Sequence, residues 1–203
     1  IPQSLTDPLA GAEVRWADEP LEARQARAVA LLREAGFGPD NPLSFEFAYP
    51  SGAVTNRVAP VIQNDWNSLA DWVEVETFGS DASVHYQSLG AGNFEVALGG
   101  WNAVIRDAAY MLDVIKEDAA GNFVGWSDAE VERLLREARD ELDPQTRLAH
   151  LIEAEQIALD QSAITPFYGP ERGWIVHPRI EGWVGGAVEY TPSHMLCLSE
   201  AGE

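Results

Sequence analysis

Leu43-Ser44-Phe45-Glu46-Phe47-Ala48-Tyr49 alternates apolar and polar side chains, and Pro50-Ser51-Gly52 stops the run. That period of two is the signature of a half-buried β-strand. Directly after it, Val58, Ile62, Trp66 and Leu69 share one face of a predicted helix over 55–69, in which Pro60 must lie early or bend the axis. Trp72-Val73-Glu74-Val75-Glu76-Thr77-Phe78 alternates again and predicts a second strand. A short helix over 82–89 follows, broken by Gly90 and Gly92. Phe94-Glu95-Val96-Ala97-Leu98 predicts a third strand, ending in Gly99-Gly100-Trp101. Strands alternating with helices make a layered α/β domain. Crossover connections of this length call for strands that are at least partly parallel.

Upstream, residues 1–17 are rich in turn formers and predict a loop. Asp18-Glu19-Pro20 predicts a helix start, with an acidic cap and a proline in the first turn. That helix runs through Ala23, Ala26, Ala30 and Leu31 to Gly36, a candidate left-handed cap. Downstream, Ser127-Asp128-Ala129-Glu130 reads as a capping box, followed by one stripe of Val131, Leu134, Leu135, Ala138 and Leu142. Asp143-Pro144 restarts a helix whose buried face is Leu148, Leu151, Ile152 and Leu159, so two antiparallel helices with a tight joint are expected. Residues 163–168 and 173–176 read as strands, the first at an edge because of Pro166.

The chain has 203 residues, 33 acidic against 13 basic, and a formal net charge of -20. So acidic a surface repels phosphate backbones and anionic headgroups, which excludes nucleic acid and direct lipid binding. No apolar run is long enough to cross a bilayer. The chain opens Ile1-Pro2-Gln3, with no targeting signal in view. The single cysteine, Cys197, can form no internal disulfide, and its alternating neighbours predict a buried strand position.

Catalytic and metal-binding patterns are absent. His85, His150, His177 and His194 stand far apart with no ligand spacing, so no metal and no cofactor is expected. There is no G-x-S-x-G, P-loop or dinucleotide fingerprint, and no catalytic residue is nominated. Trp101 is the position that stands out. It follows a strand end, where α/β layers open a binding crevice, and offers a flat apolar face for a ligand, although a core role suits it equally.

Five segments resemble the second lobe of the family-5 (cluster C) solute-binding proteins, the oligopeptide, dipeptide and nickel binders. Ala28 to Phe37 is similar to the family's A-x-x-L-L-x-E-A-G-(Y/F), and Ala59 to Trp66 to its A-x-x-I-Q-x-x-W helix. Phe94 to Trp101 resembles its (F/Y)-D-x-x-x-x-G-W strand, and Trp126 to Leu135 its Y-S-N-P-E-V-D-x-L-L segment. The fifth runs from Arg147 through Ala154-Glu155 to Tyr168, then Val176 to Gly182. The resemblance as a whole runs from about Pro20 to Leu198.

The resemblance implies an α/β, periplasmic-binding-protein-like (type II) lobe, a mixed β-sheet flanked by helices. Residues 1–19 would enter the lobe, 20–185 would form it, and 186–203 would return to a first lobe that this chain lacks. The implied function is non-catalytic: the solute-binding component of an ABC importer, capturing peptides or a similar small solute for the permease subunits. Its location would be periplasmic, or extracellular and lipid-anchored. Trp101 and Asn102 would line the cleft, with Val104 shaping the pocket. Peptide binders of the family often carry an Asp where Val104 stands, paired with the ligand's α-amino group, and Asp107 would shape the loop instead. The alternatives are a non-peptide solute (a sugar, an opine or a metal chelate) and, from another class, an acidic hydrolase using two facing carboxylates.

Overall fold

The computed structural model describes residues 1–102, 104–169, 174–184, 191 and 193–199. In chain order the elements are α1 (Gln3–Thr6), α2 (Leu21–Glu34), β1 (Leu43–Pro50), α3 (Thr55–Asn67), β2 (Val73–Ser80), α4 (Ala82–Gly90) and β3 (Val96–Ala97). There follow α5 (Ala108–Met111), α6 (Ala129–Asp140), α7 (Pro144–Asp160), β4 (Ile180–Glu181) and β5 (Cys197–Leu198). They divide into two compact units. One, the sheet unit, is Val14–Gly100 with Phe123–Gly125, and the other, the helical unit, holds Ile1–Glu13, Trp101–Asn122 and Trp126–Glu203.

In the sheet unit the strand order is β2-β1-β3, parallel throughout, with Leu43 opposite Val73 and Ala48 opposite Ala97. The central strand departs from simple alternation in its middle: Phe47 and Ala48 are both buried. A central parallel strand is covered on both faces, so its middle residues cannot point to water. On one face Phe47, Val73 and Val75 join Ala59, Ile62 and Trp72 in a core against which Val58, Trp66 and Leu69 also pack. Trp66 meets Phe47 edge-on at 5.2 Å and Phe45 at 5.6 Å. Phe47, Ile62, Val73 and Val75, all buried, each stabilise by about 1.5–3 kcal/mol.

The ends of α2 follow local chemistry. Gly36 takes φ +93°, its N–H bonds to the Arg33 carbonyl and the Phe37 N–H to the Leu32 carbonyl, both at 3.0 Å. This is the left-handed cap expected there. The start differs from expectation: Pro20 itself holds the cap position in extended conformation, with no side-chain cap, and its carbonyl accepts from Arg24 at 3.1 Å. Pro60 lies inside α3, beyond the first turn. The third strand is shorter than expected, because only Val96 and Ala97 pair with β1.

In the helical unit, α6 and α7 pack through Val131, Leu134, Ala138, Leu151, Ala154 and Ala158, joined by Ala108, Leu112 and Ile115. The helix start falls one residue later than the capping box expected. Asp128, not Ser127, caps α6, accepting from the Glu130 and Val131 amides at 2.8 and 3.2 Å. Leu142 leaves its expected stripe and is 94% exposed, because α6 has already ended at Asp140. The expected loop over 1–17 contains α1, and Ile1 and Leu5 pack on the α6–α7 core. The nitrogen of Ile1 meets the buried carboxylate of Glu155.

Three expectations for the C-terminal part need correcting. The described residues of 163–168 and 174–176 form no strand, and Gly173 lies outside them. Ala163 and Ile164 instead pack on the helical core as irregular chain. Cys197 is exposed rather than buried, in an antiparallel pair of β4 and β5 that joins no other strand among the described residues. Of the expected returning segment 186–203, residues 186–190, 192 and 200–203 lie outside the described residues.

Candidate functional site

Beyond β3, Gly99 and Gly100 lead into Trp101, Asn102 and Val104, the three residues nominated from the sequence; Ala103 is outside the described residues. Trp101 is partly buried and braced on two sides. Its ring stacks on Tyr110 at 5.6 Å and 24°, and its indole N–H donates to the Tyr110 carbonyl at 2.8 Å. Its benzene edge lies against Gly121, where a Cβ would come within 2.8 and 2.9 Å of two ring carbons. The protein itself uses the one indole donor, so Trp101 can offer a solute apolar surface and no hydrogen bond. Asn102 and Val104 are exposed, Val104 at 62%.

The frame behind this segment is polar. The Asp107 carboxylate accepts from the Ala109 amide at 2.8 Å, which caps α5. One terminal nitrogen of Arg147, on α7, lies 3.0 Å from both Asp107 oxygens. Asp107 therefore shapes the loop in two ways, as expected of it. The Asn122 side chain donates to the carbonyls of Lys116 and Trp126, at 3.1 and 2.7 Å. Tyr110, Gly121 and Asn122 were not legible as parts of the site. Only the Gly121-Asn122 pair carried a signal, that of a turn, and nothing local links it to Trp101.

Gly121→Ala tests the brace. The new methyl would also lie 3.2 Å from the Asp113 carbonyl, so it cannot escape by turning. The expected result is a loss of about 1–3 kcal/mol, as overpacking costs elsewhere, with an altered near-ultraviolet circular dichroism signal. An unchanged melt and spectrum would mean the indole does not rest on Gly121.

Among the described residues no group of three or more His, Cys, Asp and Glu side chains could hold a metal ion. Three carboxylates at helix starts are held below their ordinary range. Asp128 is lowered by the Gln161 side chain and then by the Val131 and Glu130 amides, Asp81 by Ser83, and Asp143 by Thr146. A general acid needs the opposite shift. Among the described residues no helix is long and apolar enough to cross a membrane.

No profile of a known family matches the chain. Individual proteins do. It is 28% identical over 183 residues to the probable deoxycholate-binding periplasmic protein YgiS of Escherichia coli K12, covering 90% of this chain and 33% of that protein. It is 25% identical over 171 residues to the periplasmic oligopeptide-binding protein OppA of Haemophilus influenzae, covering 84% and 32%. Among solved structures, Burkholderia pseudomallei OppA superposes with TM-score 0.82 at 26% identity, covering 91% of this chain and 37% of that one. The chain thus spans about a third of the length of the curated relatives it matches.

Proposed function

We propose that the chain is a family-5 solute-binding protein, part of the second lobe of a periplasmic component that captures peptides for an ABC importer. The observation that carries this reading is agreement with an OppA structure in both sequence and backbone over nine-tenths of the chain. In the complete protein, residues 20–185 contribute the lobe, with 1–13 packed into its helical unit, and 186–203 return toward the first lobe. A clamp of this kind needs no catalysis. It needs a rigid apolar wall and adaptable polar groups beside it. Trp101, fixed by Tyr110 and Gly121, suits the wall, and exposed Asn102 suits the polar contact. The closed, loaded form then docks on the permease subunits.

A second reading has two observations in its favour. Val104 offers no charge to an α-amino group, and burying an ammonium without a counter-charge is costly. One relative is named as a probable deoxycholate binder. An apolar solute carrying a carboxylate, rather than a peptide, would suit such a pocket.

A thermal-shift titration of the complete protein separates the two. Di- to pentapeptides are expected to raise the melting temperature with concentration, since a ligand at a hundred times its Kd adds about 2.7 kcal/mol. Response to deoxycholate alone selects the second reading. Response to neither class, with sugars, opines and nickel chelates also silent, sinks solute capture altogether.

A further inference from the structure

β1 and β3 pair in parallel, Phe47 opposite Val96 and Ala48 opposite Ala97. The Leu98 N–H then donates to the Ala48 carbonyl at 2.8 Å. In a parallel ladder the next rung returns from the N–H two residues further along β1 to the Leu98 carbonyl. That residue is Pro50, which has no N–H to give. The ladder would stop here with an acceptor unpaired beside a core.

A side chain occupies the vacant rung. His85, on α4, is 2% exposed, and its Nε2 lies 2.9 Å from the Leu98 carbonyl oxygen. A carbonyl only accepts, so Nε2 carries the proton. The next residue on α4 serves the same strand end: Tyr86 meets the His85 ring edge-on at 5.3 Å, and a Cβ on Gly100 would lie 3.2 Å from its hydroxyl. Sequence alone could not connect Pro50, His85 and Leu98, which lie far apart along the chain.

We propose that His85 replaces the backbone donor that Pro50 lacks, and is thereby a positioning residue for the end of β3 and the Gly99–Gly100 pair that leads into Trp101. The ladder needs a donor there, and a histidine on a helix supplies one where the strand cannot. Its effect on solute capture rests on the binding function proposed above: the bond steadies the strand end from which the chain runs on to Trp101, Asn102 and Val104.

The test uses the complete protein. Nitrogen-15 spectra of its histidines are expected to show His85 as the Nε2–H tautomer with a slowly exchanging ring proton. His85→Phe, which keeps a ring and deletes the donor, is expected to loosen the strand end and so speed hydrogen exchange of the Leu98 amide, which keeps its own bond to Ala48, by up to about tenfold, the worth of one hydrogen bond. Adding Pro50→Ala to the same chain returns an N–H to the rung and is expected to restore protection. His85→Gln, which keeps a donor, is expected to fall between them and guards against a variant that fails to fold. An Nδ1–H tautomer in the unaltered protein, or no recovery on adding Pro50→Ala, overturns the proposal. Trialanine titrations of the same variants read the link to capture, with affinity expected to fall in His85→Phe and return with Pro50→Ala. Equal affinity in all of them, beside the expected exchange pattern, overturns the positioning role. No trialanine binding by the unaltered protein counts against the peptide reading alone, because the exchange and tautomer results stand without a ligand.

Discussion

Leu134→Ala is expected to destabilise the protein by about 2–5 kcal/mol, the range found when a buried leucine leaves a cavity that its surroundings only partly refill. Leu134 is 1% exposed at the centre of the α6–α7 packing, between Val131 and Ala138 on its own helix and near fully buried Leu151 and Ala154. Small residues line much of that interface, so little nearby side-chain volume can move into the gap. Urea unfolding followed by circular dichroism checks the figure. Leu142→Ala is the matched control, since its side chain is 94% exposed, and it is expected to stay within about 0.5 kcal/mol. Equal losses for the two variants would mean that α6 and α7 do not pack as described.

The second large effect is expected at Trp101. In the complete protein, Trp101→Ala is expected to weaken capture of the responding solute by about 2 kcal/mol, roughly thirtyfold, the size of an interface hot spot. The structure adds a second consequence. The side chain also stacks on Tyr110 and bonds its carbonyl, so the alanine variant should melt lower as well. Trp101→Phe separates the contributions. It keeps a ring for Tyr110 and for the solute but loses the N–H, which costs about 1 kcal/mol of stability and should leave most of the affinity. Calorimetry on both variants decides the matter. An alanine variant that binds as tightly as the unaltered protein removes Trp101 from the site. A phenylalanine variant that binds as poorly as alanine makes the Tyr110 bond, rather than the apolar face, the important part.

The strands and helices of the sheet unit were legible because each carries its own period. Leu43 to Tyr49 and Trp72 to Phe78 alternate, and the Val58, Ile62 and Trp66 face repeats at helical spacing. The errors fall where a residue's place depends on something distant. Cys197 and Leu198 alternate like a buried strand, yet nothing described covers them, and an alternating pattern cannot report whether a second layer exists. Leu142 continues the spacing of Leu134 and Ala138, but the backbone turns before reaching it, because Asp143 caps a new helix by bonding the Thr146 amide.

At the candidate site, the family-like Gly-Gly-Trp step and the departure at Val104 could be read directly from residues 99–104. The brace of Tyr110, Gly121, Asp107 and Arg147 could not. By itself the sequence determined the α/β class, the register-setting alternation of the strands, the caps at Gly36 and Asp143, and the strongly acidic surface, because these depend on side-chain period and local hydrogen bonding. Only the tertiary structure decided that Trp101 gives up its donor to Tyr110, that Arg147 is tied to Asp107 across forty residues, and that His85 completes the rung Pro50 cannot. Those depend on which distant groups folding brings within 3 Å, and no local period encodes that.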